Sequence, residues 1–384
     1  MSSIKKVLIL TAPFGSGHLQ VSGALVKEFK KYGDIEVEEY DLYSEEFPTL
    51  SKTLQKAYLK SYKPVGKDLY RMLYYGANQA IYDTMHAKLI KPYYEFGRRA
   101  LKHKLTTSQP DAIISVFPVT SLYKLEDREF KVPLYTVITD YYATGLWLYK
   151  GARRHYVANN KIIAWGVANG LMQQQFLLTG IPVNEKFYQK LEKQEIYTKY
   201  KLDSQKKTVL VAAGAHGVVS KVTEMAEKLA VQQDVQVIVV CGRNEKLYEE
   251  VQTLTSTYDN VVVLGYCTSM NELLEITDLM VTKPGGLSLT EAAIKAVPVL
   301  LINPVYGQEL ENAKYFSDRK AAVIVANEVE LIYHALIILN EDGMLEEMKQ
   351  NIQSIACEYS AKEIVKDVMQ DGEQYYHDVS GHIR

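Results

Sequence analysis

The sequence is poor in cysteine. Its three residues, Cys241, Cys267 and Cys357, stand far apart and form no CxxC pair. A disulfide framework is therefore not expected, and a reducing cytoplasm fits best. No apolar run approaches the roughly 18 residues of a spanning helix, so membrane contact should be peripheral. The opening MSSIKKVLIL has only a short apolar part and no cleavage pattern after it, and reads as a buried strand rather than a signal peptide. No Asp-x-Asp occurs and the eight histidines are scattered, so no metal site is expected. Strong net charge is also missing: 44 Lys and Arg against 46 Asp and Glu leave −2, which points to no partner. Tryptophan (2) and phenylalanine (9) are few beside 29 tyrosines, which crowd into the first half.

What is present suits two domains. The chain has 384 residues, 47% hydrophobic and 23% charged, too many for one ordinary core. Short apolar runs alternate with helical patterns. Val7–Leu10, Ala112–Val116 and Leu134–Ile138 read as buried strands of the first half. In the second, strands are expected at 208–213, 235–241, 261–264, 279–282, 298–302 and 321–325. This rhythm predicts parallel sheets covered on both faces, with ligands at the carboxyl ends of the strands. Thr179–Val183 and the polar stretch after it make the best linker. The first half is net basic and the remainder net acidic. Residues 52–104 hold 12 basic and 3 acidic side chains with nine Tyr or Phe. That mixture fits an anionic membrane surface. It also fits a solvated helical face over buried tyrosines, or single-stranded nucleic acid.

Four loops carry the chemistry. Phe14-Gly15-Ser16-Gly17-His18 joins a strand to a helix and lacks the third glycine of a dinucleotide fingerprint. His18 could take a proton from an acceptor hydroxyl, or merely cap or pack. Gly214-Ala215-His216-Gly217 reads as a phosphate-approach turn or a plain tight turn. Arg243, after Cys241-Gly242, could reach a diphosphate or sit on the surface. The fullest signal is Thr282-Lys-Pro-Gly285-Gly286-Leu-Ser288-Leu-Thr-Glu291. Amides after Gly285 and Gly286 are placed for a phosphate, and Glu291, about one helical turn on, could accept both hydroxyls of a ribose. Gln308 and Glu309 open a further helix and could hold sugar hydroxyls.

Together these loops resemble glycosyltransferase family 28, and closely its processive diacylglycerol β-glucosyltransferases. Leu10 to His18, Thr139-Asp140 with Trp147, Tyr156-Val157-Ala158, Thr179-Gly-Ile-Pro, Ala213 to Gly217, Cys241-Gly-Arg, Gly265-Tyr, Thr282 to Glu291 and Gly307 to Asn312 carry the resemblance in order along the chain. It implies an α/β GT-B fold, two Rossmann-like doubly wound domains facing a cleft. The implied divisions are 1–181 for the acceptor and membrane, 182–354 for the UDP-sugar, and a helix in 355–384, about 355–375, returning to the first domain. His18 becomes the leading general base, with Asp140 second. Gly17, Gly214, His216, Arg243, Met270, Thr282, Gly285, Gly286, Ser288, Glu291, Gln308 and Glu309 fall to the donor. Trp147, Lys88, Lys91, Arg98 and Arg99 fall to the acceptor and membrane. One departure stands out: Thr144 replaces a histidine usual in this motif.

The function so implied is inverting, metal-independent transfer of glucose from UDP-glucose to diacylglycerol, repeated to give diglucosyldiacylglycerol. No cofactor is expected beyond the donor substrate. Expected partners are diacylglycerol, glucosyldiacylglycerol and anionic membrane lipids at the cytoplasmic face of the cell membrane, with no nucleic acid. Transfer of galactose or N-acetylglucosamine to another lipid is the enzymic alternative. A UDP-sugar sensor without chemistry is the alternative of another class.

Overall fold

The computed structural model describes residues 4–12, 17–53, 97–119, 121–122, 132–217, 219, 221–302, 304–341 and 343–381. Lys88, Lys91 and most of the basic stretch 52–104 lie outside them, as do Phe14 to Ser16 of the first glycine loop. The chain divides into two compact units. One comprises Met1–Asn184, Tyr306–Gln308 and Cys357–Arg384, the other Glu185–Val305 and Glu309–Ala356.

Each unit is built on a six-stranded sheet in which every pairing is parallel. In the first the order is β2-β1-β3-β4-β5-β6. The strands are β1 (Lys6–Thr11), β2 (Glu36–Asp41), β3 (Ala112–Ser115), β4 (Leu134–Val137), β5 (Arg154–Val157) and β6 (Phe176–Leu178). Three of these escape an apolar-run reading. EVEEYD of β2 is an edge strand with mostly wet side chains, RHYV of β5 buries a histidine, and β6 has three residues. The apolar runs of β1, β3 and β4 are buried because helices cover parallel sheets on both faces.

The second sheet follows the expected strands to within a residue or two. They are β7 (Lys207–Ala212), β8 (Val235–Val240), β9 (Val261–Leu264), β10 (Leu279–Thr282), β11 (Val299–Ile302) and β12 (Ala322–Val325), in the order β12-β11-β10-β7-β8-β9. Each sheet therefore has one point where the direction of winding reverses: between β1 and β3, and between β7 and β10. Ligands of such sheets sit at the carboxyl ends of the strands at that point.

The last helix, Ser360–Gly381, packs on the first unit and starts later than expected, after Tyr359 in left-handed conformation (φ 53°). Asp371 accepts from Arg153 Nε and Nη2 at 2.9 and 2.7 Å and from the Tyr135 hydroxyl at 2.9 Å. Tyr156 donates to Asp367 at 2.8 Å, and Tyr376 donates to the Asp111 carbonyl at 2.8 Å. Gly372 allows the close approach, since a Cβ there would lie 2.1 Å from Ile4 Cδ1.

Candidate functional site

In the second unit the expected donor residues gather at the carboxyl ends of β7, β8 and β10, around the winding reversal. Gly214 (φ 80°), Gly217 (φ 58°) and Gly242 (φ 64°) are all left-handed, where a side chain is strained. A Cβ on Gly242 would lie 2.3 Å from the Gly214 carbonyl oxygen. That gap lets Arg243 N donate to the Ala215 carbonyl at 3.0 Å and Asn244 Nδ2 to the Gly217 carbonyl at 3.1 Å. The two loops are thus bolted into one rigid turn.

Beside them β10 ends at buried Thr282, and Gly285 caps the helix Gly286–Ile294. The first-turn amides of this helix have no acceptor within it. A Cβ on Gly285 would meet nothing within 4 Å, so the space before the cap is open. Asn312 Nδ2 donates to the Pro284 carbonyl at 3.2 Å and steadies the loop. Ser288 is half-buried on the first turn. Glu291, one turn further, is buried, and burial pushes its carboxyl up to about 8. A carboxyl so placed holds its proton at neutrality until hydrogen-bond donors stabilise the anion.

Positive charge converges on the same loops. Burial first, then the Arg243 and Lys283 charges, lowers the His216 imidazole below its ordinary range. Arg243 is exposed, its guanidinium 4.6 Å from the Tyr266 ring centroid. A Cβ on Gly214 would lie 3.3 Å from Lys283 Cε. Lys283 is the residue sequence reasoning missed as a charge carrier, although it stands inside the strongest motif. Met270 opens the short helix after β9.

Gln308 and Glu309 stand side by side at the start of the next helix. Glu309 is buried with one carboxylate oxygen 3.1 Å from Lys283 Nζ and the other accepting from Val305 N at 3.3 Å. Its carboxylate is thus already engaged by the protein. Gln308 opens the helix Gln308–Ser317 but groups with the first unit.

In the first unit, Gly17 and His18 begin the helix Gly17–Phe29 at the winding reversal of that sheet. His18 Nδ1 lies 2.8 Å from the Val116 carbonyl and 3.2 Å from Thr139 Oγ1. A carbonyl only accepts, so Nδ1 carries the hydrogen and Nε2 is left with its lone pair. Burial holds the imidazole down at about 4, against the smaller upward pull of Val116, so the ring is neutral at pH 7. The Phe117 ring meets it edge-on at 5.1 Å. Asp140 follows Thr139, half-buried, just past β4.

Trp147 is 6% exposed and packs among Ile138, Val157, Ile162 and Phe176. Thr144 is buried as well and stands just before the turn Gly145–Trp147, making no side-chain hydrogen bond to its amides. Arg98 and Arg99 open the helix Arg98–Ser108, Arg99 exposed. Cys241 is a buried thiol pushed up to about 11, which makes it a packing residue. Among the described residues no cluster of His, Cys, Asp or Glu is placed to hold a metal, and no helix is long and apolar enough to cross a membrane.

Two doubly wound units, each with one winding reversal in its parallel sheet, define a two-domain protein of the GT-B fold. Solved structures share it: the MnaA–UDP structure of S. aureus (TM-score 0.62, 14% identity, 98% of this chain and 97% of that one) and MurG of Acinetobacter baumannii (TM-score 0.61, 15% identity, 96% and 99%). Residues 18–183 match the family described as Monogalactosyldiacylglycerol (MGDG) synthase, and 208–371 the Glycosyltransferase family 28 C-terminal domain. A relative from Bacillus licheniformis, named Processive diacylglycerol beta-glucosyltransferase, is 37% identical over 97% of both chains. The chain belongs to glycosyltransferase family 28, within the family of the processive diacylglycerol beta-glucosyltransferases.

Proposed function

We propose that this protein transfers glucose from UDP-glucose to diacylglycerol with inversion, and extends the product to diglucosyldiacylglycerol. The observation that carries the reading is the open, glycine-capped helix start with buried Glu291 one turn behind it, set among Arg243, His216 and Lys283. Helix amides take a phosphate, and Glu291 accepts from the ribose hydroxyls. Met270 lies toward the uracil. Gln308 is the residue toward the hexose, with Glu309 setting Lys283 in place.

In the reaction the lipid hydroxyl attacks the anomeric carbon from the face opposite UDP. The new carbon–oxygen bond forms as the bond to the β-phosphate oxygen breaks, and the electron pair leaves with UDP. His18 Nε2 receives the hydroxyl proton, with Asp140 the second candidate for that role. A base held near 4 is weak toward a resting alcohol, but the hydroxyl acidifies as its oxygen bonds to carbon, so transfer falls late. Arg243, Lys283 and the helix amides offset the charge gathering on the diphosphate.

The protein acts at the cytoplasmic face of the membrane, where sugar nucleotides are made, as a peripheral protein held by anionic lipids. Residues 52–104 are the proposed contact, with Arg98 and Arg99 its described end. The test is UDP-glucose with diacylglycerol in vesicles, alongside UDP-galactose and UDP-N-acetylglucosamine. UDP release with a glucolipid product is expected. UDP-glucose binding with no product would leave only a sensor and would sink the assignment.

A further inference from the structure

We propose that Tyr266 is the positioning residue for Arg243: its ring holds the guanidinium where the diphosphate of the donor arrives. The proposal rests on the donor reading above and adds a residue to it. The backbone of Arg243 is fixed from both sides. Its N–H donates to the Ala215 carbonyl at 3.0 Å. Asn244 donates to the Gly217 carbonyl at 3.1 Å and caps the helix Glu245–Leu254 through Leu247 N. The side chain of Arg243 has no such anchor. It is exposed, and among the described residues its guanidinium forms no ion pair. A long exposed side chain that must be immobilised on binding weakens the binding by its lost rotamer freedom.

The Tyr266 ring supplies the restraint. Strands β8 and β9 end side by side, and Cys241 N donates to the Leu264 carbonyl at 2.8 Å. Gly265 then passes beside the glycine turn, where a Cβ on it would lie 3.9 Å from the Gly242 carbonyl oxygen. Tyr266 follows, 50% exposed, with its ring centroid 4.6 Å from Arg243 Cζ. The two cations beside the glycine loops are thus held by different means. Lys283 is held at 3.1 Å by Glu309, a carboxylate that offsets its charge. A ring face attracts a cation through its quadrupole and leaves the charge whole. It also leaves free the fork of N–H donors that a carboxylate would occupy. Arg243 therefore keeps both its charge and its donors for phosphate oxygens.

The test measures binding to the full chain of UDP-glucose and of uridine, which lacks the diphosphate. Tyr266→Leu should weaken UDP-glucose roughly three- to tenfold and leave uridine unchanged. Tyr266→Phe keeps the ring and should bind UDP-glucose within about twofold of wild type. On an Arg243→Ala background Tyr266→Leu should cost nothing further, because the ring acts through the guanidinium. Unchanged UDP-glucose affinity in Tyr266→Leu would overturn the proposal. So would uridine weakened as much as UDP-glucose, because the ring would then touch the base or merely support the turn. Equal losses with and without Arg243 would overturn it too. A protein that follows the expected pattern yet forms no glycolipid from UDP-glucose and diacylglycerol upholds the positioning role and removes the glucosyltransferase reading instead.

Discussion

Binding of the sugar nucleotide should release a proton, and Glu291 sets the amount. Burial raises its carboxyl from 4.5 to about 8, so at pH 7 roughly nine in ten unliganded molecules carry the proton. Ribose hydroxyls donate hydrogen bonds, and an ionised acceptor makes each worth about 1.5–3 kcal/mol. The bound form is therefore the anion, with its pKa drawn well below neutrality. The sign follows: affinity is full above pH 8 and lost as pH falls through it. Between pH 8, where half the carboxyls are ionised, and pH 6 the decline is about fiftyfold, or about 2.3 kcal/mol at 1.36 kcal/mol per tenfold. Isothermal titration with UDP-glucose in two buffers of different ionisation enthalpy counts the proton directly. UDP-glucose is preferred to UDP because both its phosphates are esterified and neither exchanges a proton in this range. Glu291→Gln should abolish the proton release and flatten the pH dependence. Wild-type binding that releases no proton between pH 6 and 8 would refute the assignment of this carboxylate to the ribose. The unliganded protein should show the opposite trend. A folded carboxyl raised in this way stabilises below pH 4.5 and loses that contribution as pH rises through about 8.

His18→Asn should keep UDP-glucose affinity and cut turnover by about 100-fold or more; wild-type turnover would remove His18 as base. Because burial holds the imidazole at about 4, the rate at saturating donor should fall on the acid side near pH 4, not near 6.5, read from a pH–rate profile. Gly242→Ala would drive a methyl into the Gly214 carbonyl at a left-handed position, so donor affinity and melting temperature should both drop, by about 1–3 kcal/mol in stability. Asp371→Asn removes the charge that binds Arg153 and should cost about 2–4 kcal/mol by urea unfolding, with earlier proteolysis of the last helix.

The second sheet was readable because its central strands are buried and so appear as runs dominated by valine, leucine and isoleucine. The first was readable only in part. Glu36–Asp41 is a strand because backbone pairing to β1 needs no apolar face at a sheet edge, and nothing in EVEEYD announces that. The glycine loops were legible for a physical reason: glycine between a strand and a helix marks a turn where backbone must come close, left-handed at Gly214, Gly217 and Gly242 and extended at the helix cap Gly285. What sequence could not supply was the partner of each charged group. Glu309 reads as a sugar ligand until Lys283 is found 3.1 Å away, and Lys283 reads as motif filler until it is seen beside Gly214.

The tyrosine excess shows the same limit most clearly. Tyrosines crowding a basic half suggest an interface, yet Tyr40, Tyr135 and Tyr156 are among the largest fully buried side chains. Each buried hydroxyl needs an acceptor. Tyr40 finds Glu46 close in sequence, but Tyr135 and Tyr156 find Asp371 and Asp367, supplied from the other end of the chain by the last helix. These carboxylates also hold Arg153 and Arg154, so one helix pairs with two phenols and two guanidinium groups of the first unit. The first unit therefore cannot complete its polar interior from residues 1–184 alone. Truncation before Ser360 should leave it with unpaired buried groups, each costing about 1–3 kcal/mol. That makes the last helix part of the first domain's core rather than an appendage to the second.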